Sequence, residues 1–403
     1  MTCTKAGVCT LQQYAYDFEL KESSFTRKRF GFLIDDANPF IKRDPDYCVL
    51  CGRCVRVCKE QGTNVLEFMG RGVGSKVATA NDKPLQESNC TFCGSCVDAC
   101  PVNALLEADR WRKGREWDYD ETDSVCLLCG NACDIKISTK DGMIMKINAG
   151  AEAGSPEKYI CAYGRFGYDA AASDIRISAP MKRVSGELKE TTWEDAVETI
   201  AKELKKAGKN AGFIASAGVL NEDAITMQMF ASEVVKTRNI DSTASLYGDL
   251  DTLISEGADI DSADLFVAVD INPSQWDRVL PAIDAIVRKR VNSGAAKLIT
   301  INSAETKLSS IAAVSLIENE AEALRSLAKA LIDKGLEADK KLSAAVLDAS
   351  VSEAVEKAAE LYSAAKNPVI LASPAIYRAA ANISLLKGAA VSVPYESNAQ
   401  GVV

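Results

Sequence analysis

Eleven of the fourteen cysteines in this 403-residue chain fall into three tight runs, with a twelfth, Cys161, after the third, and no other feature constrains the fold as much. The first run is Cys48, Cys51, Cys54 and Cys58; the second is Cys90, Cys93, Cys96 and Cys100, followed by Pro101. Both read C-x2-C-x2-C-x3-C, a spacing that lets a short loop wrap three iron corners of a cubane and leaves the fourth to a thiolate from elsewhere. Gly52 and Gly94 occupy the same offset in the two loops, where a missing side chain lets the backbone curl and aim N–H groups at cluster sulfurs. Lys59 stands where Pro101 stands in the second run. Zinc sites use four ligands as two separated pairs, which explains an eight-cysteine double run poorly. Disulfides explain it less well, because a chain of this length without a secretory signal needs no stapling.

The double run resembles that of bacterial two-cluster ferredoxins, in which the fourth cysteine of each run crosses to the other cluster. The resemblance implies one site from Cys48, Cys51, Cys54 and Cys100, and another from Cys90, Cys93, Cys96 and Cys58. A third run, Cys126, Cys129 and Cys133, is C-x2-C-x3-C, and the next cysteine is Cys161. Between them, residues 134–138 and 143–147 flank Lys140, Asp141 and Gly142, which reads as a β-hairpin able to return the chain with a fourth ligand.

This third arrangement resembles the amino-terminal iron–sulfur domain of the molybdopterin oxidoreductase superfamily, which includes formate dehydrogenase catalytic subunits and the large iron–sulfur subunit of complex I. The likeness extends upstream to residues 36–40 and the first run, which look like the NAD-linked formate dehydrogenase and complex I version. Downstream, Thr192 to Ala196 and Gly218 to Asp223 are similar to the start of the superfamily's α/β domain. Three [4Fe-4S] clusters are thereby implied, the third on Cys126, Cys129, Cys133 and Cys161. Active relatives carry a cysteine or selenocysteine ligand to a molybdenum or tungsten pterin well downstream, and a lysine two residues after the fourth cluster ligand. Here no cysteine follows Cys161, Tyr163 takes the lysine's place, and histidine is absent. No molybdopterin is therefore expected, and no substrate chemistry by this chain. At the amino terminus, Cys3 and Cys9 resemble the second half of a further site of that family, a remnant whose other ligands would have to come from elsewhere.

The formal charge of −9 disfavours a nucleic-acid partner, since phosphate binding needs a basic surface. No stretch approaches a membrane span, and thiolate ligands suit a reducing cytoplasm. The basic, aromatic stretch from Arg110 to Trp117 reads as a linker packed between cluster domains, its cations screening their negative charge. After Pro180, helices and strands alternate. Helices are expected at 193–206, 222–237, 278–292, 321–334 and 340–365, and strands at 212–216, 265–269, 297–301 and 368–372. The strands are apolar throughout, as strands covered on both faces are. The loops at their carboxyl ends, 216–218, 270–273 and 302–304, hold no glycine-rich phosphate cradle.

The fold expected is an α+β ferredoxin-like two-cluster domain and a small β-rich 4Fe-4S domain, followed by a doubly wound α/β domain. The boundaries are an arm at 1–40, the two-cluster domain at 41–118, the third-cluster domain at 119–175 and the α/β domain at 176–403. The function expected is electron relay between a flavoprotein subunit that oxidises NAD(P)H and a hydrogenase, a formate dehydrogenase or a ferredoxin-facing subunit. Such a complex would be soluble, with electron bifurcation one form it could take. The competing reading is the amino-terminal part of a molybdenum or tungsten formate dehydrogenase completed by another chain.

Overall fold

The computed structural model describes residues 3–22, 24, 26, 30–150, 160–173, 175–247, 258–273, 280–394 and 396–399. Tyr159, in the segment leading to Cys161, lies outside the described residues, as do the first residues of the helix expected at 278–292 and the ends of the chain. The chain divides into two compact units. The first joins residues 1–126, 133–167 and 272–298; the second joins 127–132, 168–271 and 299–403.

The first unit is built around the two cysteine loops. Each loop runs straight into a helix, Arg53–Glu60 after the first and Ser95–Ala99 after the second. Strand Ile41–Arg43 pairs antiparallel with Leu105–Glu107 and so closes the beginning of the region against its end. Residues between the two runs contribute a second antiparallel pair, Glu67–Met69 with Lys76–Ala78. Ile41, Val55, Leu66, Val77, Leu85 and Leu105 form one buried cluster with Cys54 and Cys100. The expected hairpin is present and longer than read from the sequence, as Asp134–Lys140 and Met143–Ala149, with Asp120–Val125 added as a third strand. Asp141 and Gly142 both have positive φ, 52° and 75°, as a two-residue primed turn requires.

Helix Pro281–Asn292 also belongs to this unit. Gly62, at φ +71°, meets it so closely that an added Cβ would stand 2.7 Å from the Ala285 carbonyl oxygen. Asn292 donates to the Gly62 carbonyl at 2.9 Å, and Lys289 pairs with Glu60 at 2.6 Å. A helix that sequence order places in the α/β half thus packs on the loop after Cys58.

The second unit centres on a five-stranded sheet ordered Val314–Ile317, Lys297–Asn302, Leu265–Val269, Pro368–Ala372, Ala389–Ser392. Leu265–Val269 and Pro368–Ala372 pair in parallel and are buried along their whole length, which is why their sequences do not alternate. Helices Glu320–Asp333, Glu353–Ala364 and Tyr377–Ser384 supply the rest of the apolar core.

Three expectations are corrected, and one element was not foreseen. The helix expected at 340–365 is two, Lys340–Ala345 and Glu353–Ala364, because Ser352 caps a fresh start by accepting from the Val355 N–H at 3.3 Å. The helix expected at 222–237 is regular only through Met229; Phe230–Val235 is π-helical, and Lys236 ends it at φ +61°. The strand expected at 212–216 is Phe213–Ala215, and it pairs with Ile240–Ser242 in a separate two-stranded parallel sheet. The 181–190 hairpin was missed because its strands are mostly exposed and carry no apolar alternation.

Candidate functional site

The two cysteine loops have the same backbone. Leu50 and Phe92, each two residues after the first cysteine of its run, have φ of 55° and 53°. Gly52 and Gly94 follow at 70° and 74°. These alternating left-handed residues turn successive N–H groups inward, the concavity that binds anions. Cys48 Sγ accepts from the Leu50 N–H at 3.4 Å, and Cys90 Sγ from the Phe92 N–H at 3.4 Å.

Around the first loop the structure gathers Cys48, Cys51, Cys54 and Cys100. All four line one recess with Pro45, Val77, Pro101 and Leu105. Burial pushes the Cys54 thiol up to about 11, with the negative charges of Cys48, Cys100 and Cys51 also raising it. Around the second loop, burial raises Cys96 well above the ordinary thiol range, followed by the charges of Cys93, Cys90 and Cys58, with a further contribution from Cys54. Cys58 is held there by the Val65 N–H at 3.2 Å and the Thr63 hydroxyl at 3.1 Å. Each run therefore sends its last cysteine to the other loop's thiols. Thiols that raise one another in this way are stable as thiolates only beside a compensating cation. Among the described residues no three Cys, Asp or Glu side chains converge closely enough for a single metal ion. A cubane spreads its thiolates over four separate iron corners and makes no such demand. The donor chemistry and the nest-like loops fit a cluster at each of the two sites.

The third set is partly gathered in the first unit. Cys161 caps helix Ala162–Phe166, its sulfur accepting from the Gly164 N–H at 3.3 Å. Burial raises its thiol, and Cys126 is among the further causes. A Cβ on Gly164 would stand 3.4 Å from Cys126 Sγ, so the glycine sets how near that sulfur comes. The Cys126 N–H donates to the buried Cys133's carbonyl at 2.8 Å. Cys129 lies in the segment Leu127–Ala132, which groups with the second unit. Tyr163 is 42% exposed on the first turn of the Cys161 helix.

The remaining candidates are placed as follows. Cys3 and the residues after it dock on the first unit: Thr4 donates twice to Asn103, at 3.0 and 3.1 Å, and Arg115 donates to the Cys3 carbonyl at 3.0 Å. Cys9 precedes the exposed helix Thr10–Asp17. The basic stretch is divided, with Trp111, Arg112 and Trp117 exposed. Arg110 is buried and bonds the Gly114 carbonyl, and Lys113 pairs with Glu107 and Asp109 at 2.9 and 3.0 Å.

Two buried arginines were not singled out from the sequence. Arg43 lines the first recess, donates to the Val77 carbonyl at 3.2 Å and pairs with Asp35 at 3.5 Å. Arg165 binds the second loop, donating to the Cys93 carbonyl at 2.6 Å. Their signal, a lone arginine a few residues from a cysteine, is too common to stand out.

At the carboxyl ends of the second unit's strands, the Ser373 hydroxyl bonds Asp270, and Asn302 holds a buried Nδ2 with no hydrogen-bond partner among the described residues. An unsatisfied buried donor is costly, and strand carboxyl ends are where sheets of this kind take ligands.

Comparison with known proteins follows the same divisions. Residues 47–104 match a 4Fe-4S dicluster domain, residues 119–173 a molybdopterin oxidoreductase Fe4S4 domain, and residues 176–389, more than half of the chain, the family described as molybdopterin oxidoreductase. NADH-quinone oxidoreductase subunit 3 of Thermus thermophilus is 33% identical over 257 residues, covering 60% of this chain and 32% of that protein. A putative formate dehydrogenase of Staphylococcus haemolyticus is 27% identical over 280 residues, covering 59% of this chain and 28% of that protein. The chain thus spans less than a third of the length of these curated relatives. Acetylene hydratase from Pelobacter acetylenicus shares the fold with a TM-score of 0.53 at 17% identity, over 66% of this chain and 43% of that one. The match over 176–389 overturns the expectation that no molybdopterin is bound: this half is the family's molybdopterin domain, and the unsatisfied Asn302 donor at its strand ends fits a ligand there.

Proposed function

Because the chain belongs to the molybdopterin oxidoreductase family, we propose that it is an iron–sulfur electron-transfer subunit of an oxidoreductase complex. The observation that carries this is the crossed grouping of Cys48, Cys51, Cys54 and Cys100, and of Cys58, Cys90, Cys93 and Cys96, on two loops of the same backbone. Those residues would each hold a [4Fe-4S] cluster, and Cys126, Cys129, Cys133 and Cys161 a third. When bound, each cluster supplies a one-electron redox centre. The chain's own part is to fix the thiolates, donate N–H groups to sulfur and keep water off Cys54, Cys100 and Cys133, which are buried. No histidine is available for proton transfer.

The partners that suit such a chain are an NAD(P)H-oxidising flavoprotein and a hydrogenase, formate dehydrogenase or ferredoxin, within the cytoplasm. The names of the relatives, an NADH-quinone oxidoreductase subunit and a putative formate dehydrogenase, support that choice. Protein purified without oxygen should contain about twelve irons per chain, and about eight would remove the third cluster. A second reading has its own support in the match over 176–389 and in Asn302: this chain is part of a formate dehydrogenase whose pterin site another chain completes. Molybdenum or tungsten copurifying with the chain alone would favour that reading over electron transfer alone.

A further inference from the structure

Arg165 is the bulkiest fully buried side chain among the described residues, 1% exposed. A guanidinium withdrawn from water is costly unless its charge and donors are met. All its bonds converge on the second cysteine loop and the strand beside it. Nε donates to the Cys93 carbonyl at 2.6 Å, Nη1 to Asp98 at 2.9 Å and to the Ile147 carbonyl at 3.3 Å, and Nη2 to the other Asp98 oxygen at 2.7 Å. A Cβ on Gly94 would stand 2.3 Å from Arg165 Cδ. The arginine's stem therefore occupies the space that this glycine leaves.

Arg165 sits one helical turn after Cys161, so one side chain ties the third set of thiols to the second. Packing alone does not explain a charge there, because an apolar side chain of similar size would fill the space without the desolvation cost. What a buried cation adds is a fixed electrostatic bias, strong because little water screens it.

We propose that Arg165 is a positioning residue that holds up the reduction potential of the cluster carried by Cys58, Cys90, Cys93 and Cys96, with Asp98 acting in the opposite sense. This rests on the reading that those four cysteines hold a cluster. Reduction adds one electron to the cluster, with no bond made or broken, and a nearby cation stabilises the more negative product. Removing the cation lowers the potential and leaves Asp98 without its partner. Removing the Asp98 charge leaves the cation unopposed and raises the potential.

The test is a stepwise dithionite titration of the anaerobic holoprotein followed by electron paramagnetic resonance, for wild type, Arg165→Gln, Arg165→Lys and Asp98→Asn. Arg165→Gln should lower the second cluster's one-electron equilibrium constant on the order of tenfold, about 59 mV. Arg165→Lys should restore most of that, and Asp98→Asn should shift it upward. The cluster beside Arg43 should not move. Shifts of the same sign for Arg165→Gln and Asp98→Asn, or no shift in either with iron content intact, would overturn the proposal. If Arg165→Gln loses the cluster, Asp98→Asn decides alone: a rise supports the assignment, and no rise defeats it. Failure of the underlying reading is distinguishable, since wild type would then lack the iron and the signal that Cys58→Ala should remove.

Discussion

Gly52 and Gly94 stand at the same place in two loops of the same backbone, yet the structure makes their replacement by alanine unequal. At φ of 70° and 74°, both substitutions bear the left-handed penalty of roughly 1–2 kcal/mol. At Gly52 the new methyl would meet the Arg56 guanidinium end and the Phe68 ring edge, both at 3.1 Å. Both side chains are exposed and can give way. At Gly94 it would meet Arg165 Cδ at 2.3 Å and Nε at 2.4 Å. That stem cannot swing aside without breaking its bonds to Cys93, Asp98 and Ile147. Overpacking of this kind costs about 1–3 kcal/mol beyond the backbone term. Since about 1.4 kcal/mol is a factor of ten, Gly94→Ala should open its loop roughly tenfold more often than Gly52→Ala. The assay is the rate of iron release to a chelator from anaerobic holoprotein in mild urea, read by bleaching of the visible cluster absorbance. Adding Arg165→Ala to Gly94→Ala should cost less than the sum of the two single changes, because it removes the obstructing stem. Equal release rates for the two glycine variants, or full additivity in the double variant, would refute the reasoning.

Other consequences can be measured directly. Cys58→Ala should spoil the cluster of Cys90, Cys93 and Cys96 and spare that of Cys48, Cys51 and Cys54, while Cys100→Ala should do the reverse; electron paramagnetic resonance of each variant resolves which signal is lost. Asp264 joins Leu265–Val269 to Pro368–Ala372 by accepting from the Lys366 and Asn367 N–H groups at 2.7 and 2.9 Å. Burial raises its carboxyl, but those two bonds prevail and hold it below the usual value near 3.8. Its stabilisation is thus complete above that value and lost as pH falls through the lower folded value. Asp264→Ala should flatten the acid limb of the urea midpoint's pH dependence, and an unchanged limb would assign acid loss to other groups. Cys161→Ala should reduce NAD(P)H-linked turnover of the assembled complex while the flavoprotein still reduces an artificial dye, once assembly is verified, since losing a cluster can unfold its domain.

How far the sequence could be read depends on whether a feature is local. The cysteine loops were legible because three or four residues at fixed offsets decide them, and Gly52 and Gly94 marked the left-handed positions. Leu50 and Phe92 take the same strained conformation and were not foreseen, since nothing in a leucine or phenylalanine advertises positive φ. The central strands were legible from their unbroken apolar runs, but Val314–Ile317 and Ala389–Ser392 are short and lie at the sheet's edges, where burial is incomplete. Helix Pro281–Asn292 was found as a helix, but its contacts with Glu60 and Gly62 were not foreseen, because they span more than 220 residues. The absent cysteine after Cys161 was over-read. It bears on one ligand to a metal and does not speak against the match of residues 176–389 to the molybdopterin oxidoreductase family.

The duplicated loops show why cluster type and cluster potential have separate structural origins. What each loop can bind is set by three of its own thiols, by a fourth from the other run, and by left-handed turns common to both. The arginines that face each site come from outside its cysteine run. The first recess is flanked by Arg43, which divides itself between Asp35 and Asp82 at 3.5 and 3.7 Å, and its Cys51 is exposed. The second is gripped by Arg165, whose single carboxylate partner, Asp98, lies within the cysteine run itself. An exposed thiolate lets water stabilise added charge, and a fully buried guanidinium adds a fixed bias beside the second site. Two sites on loops of the same backbone are thus made unequal by side chains other than their cysteines. An ordered drop in potential along a relay requires that inequality.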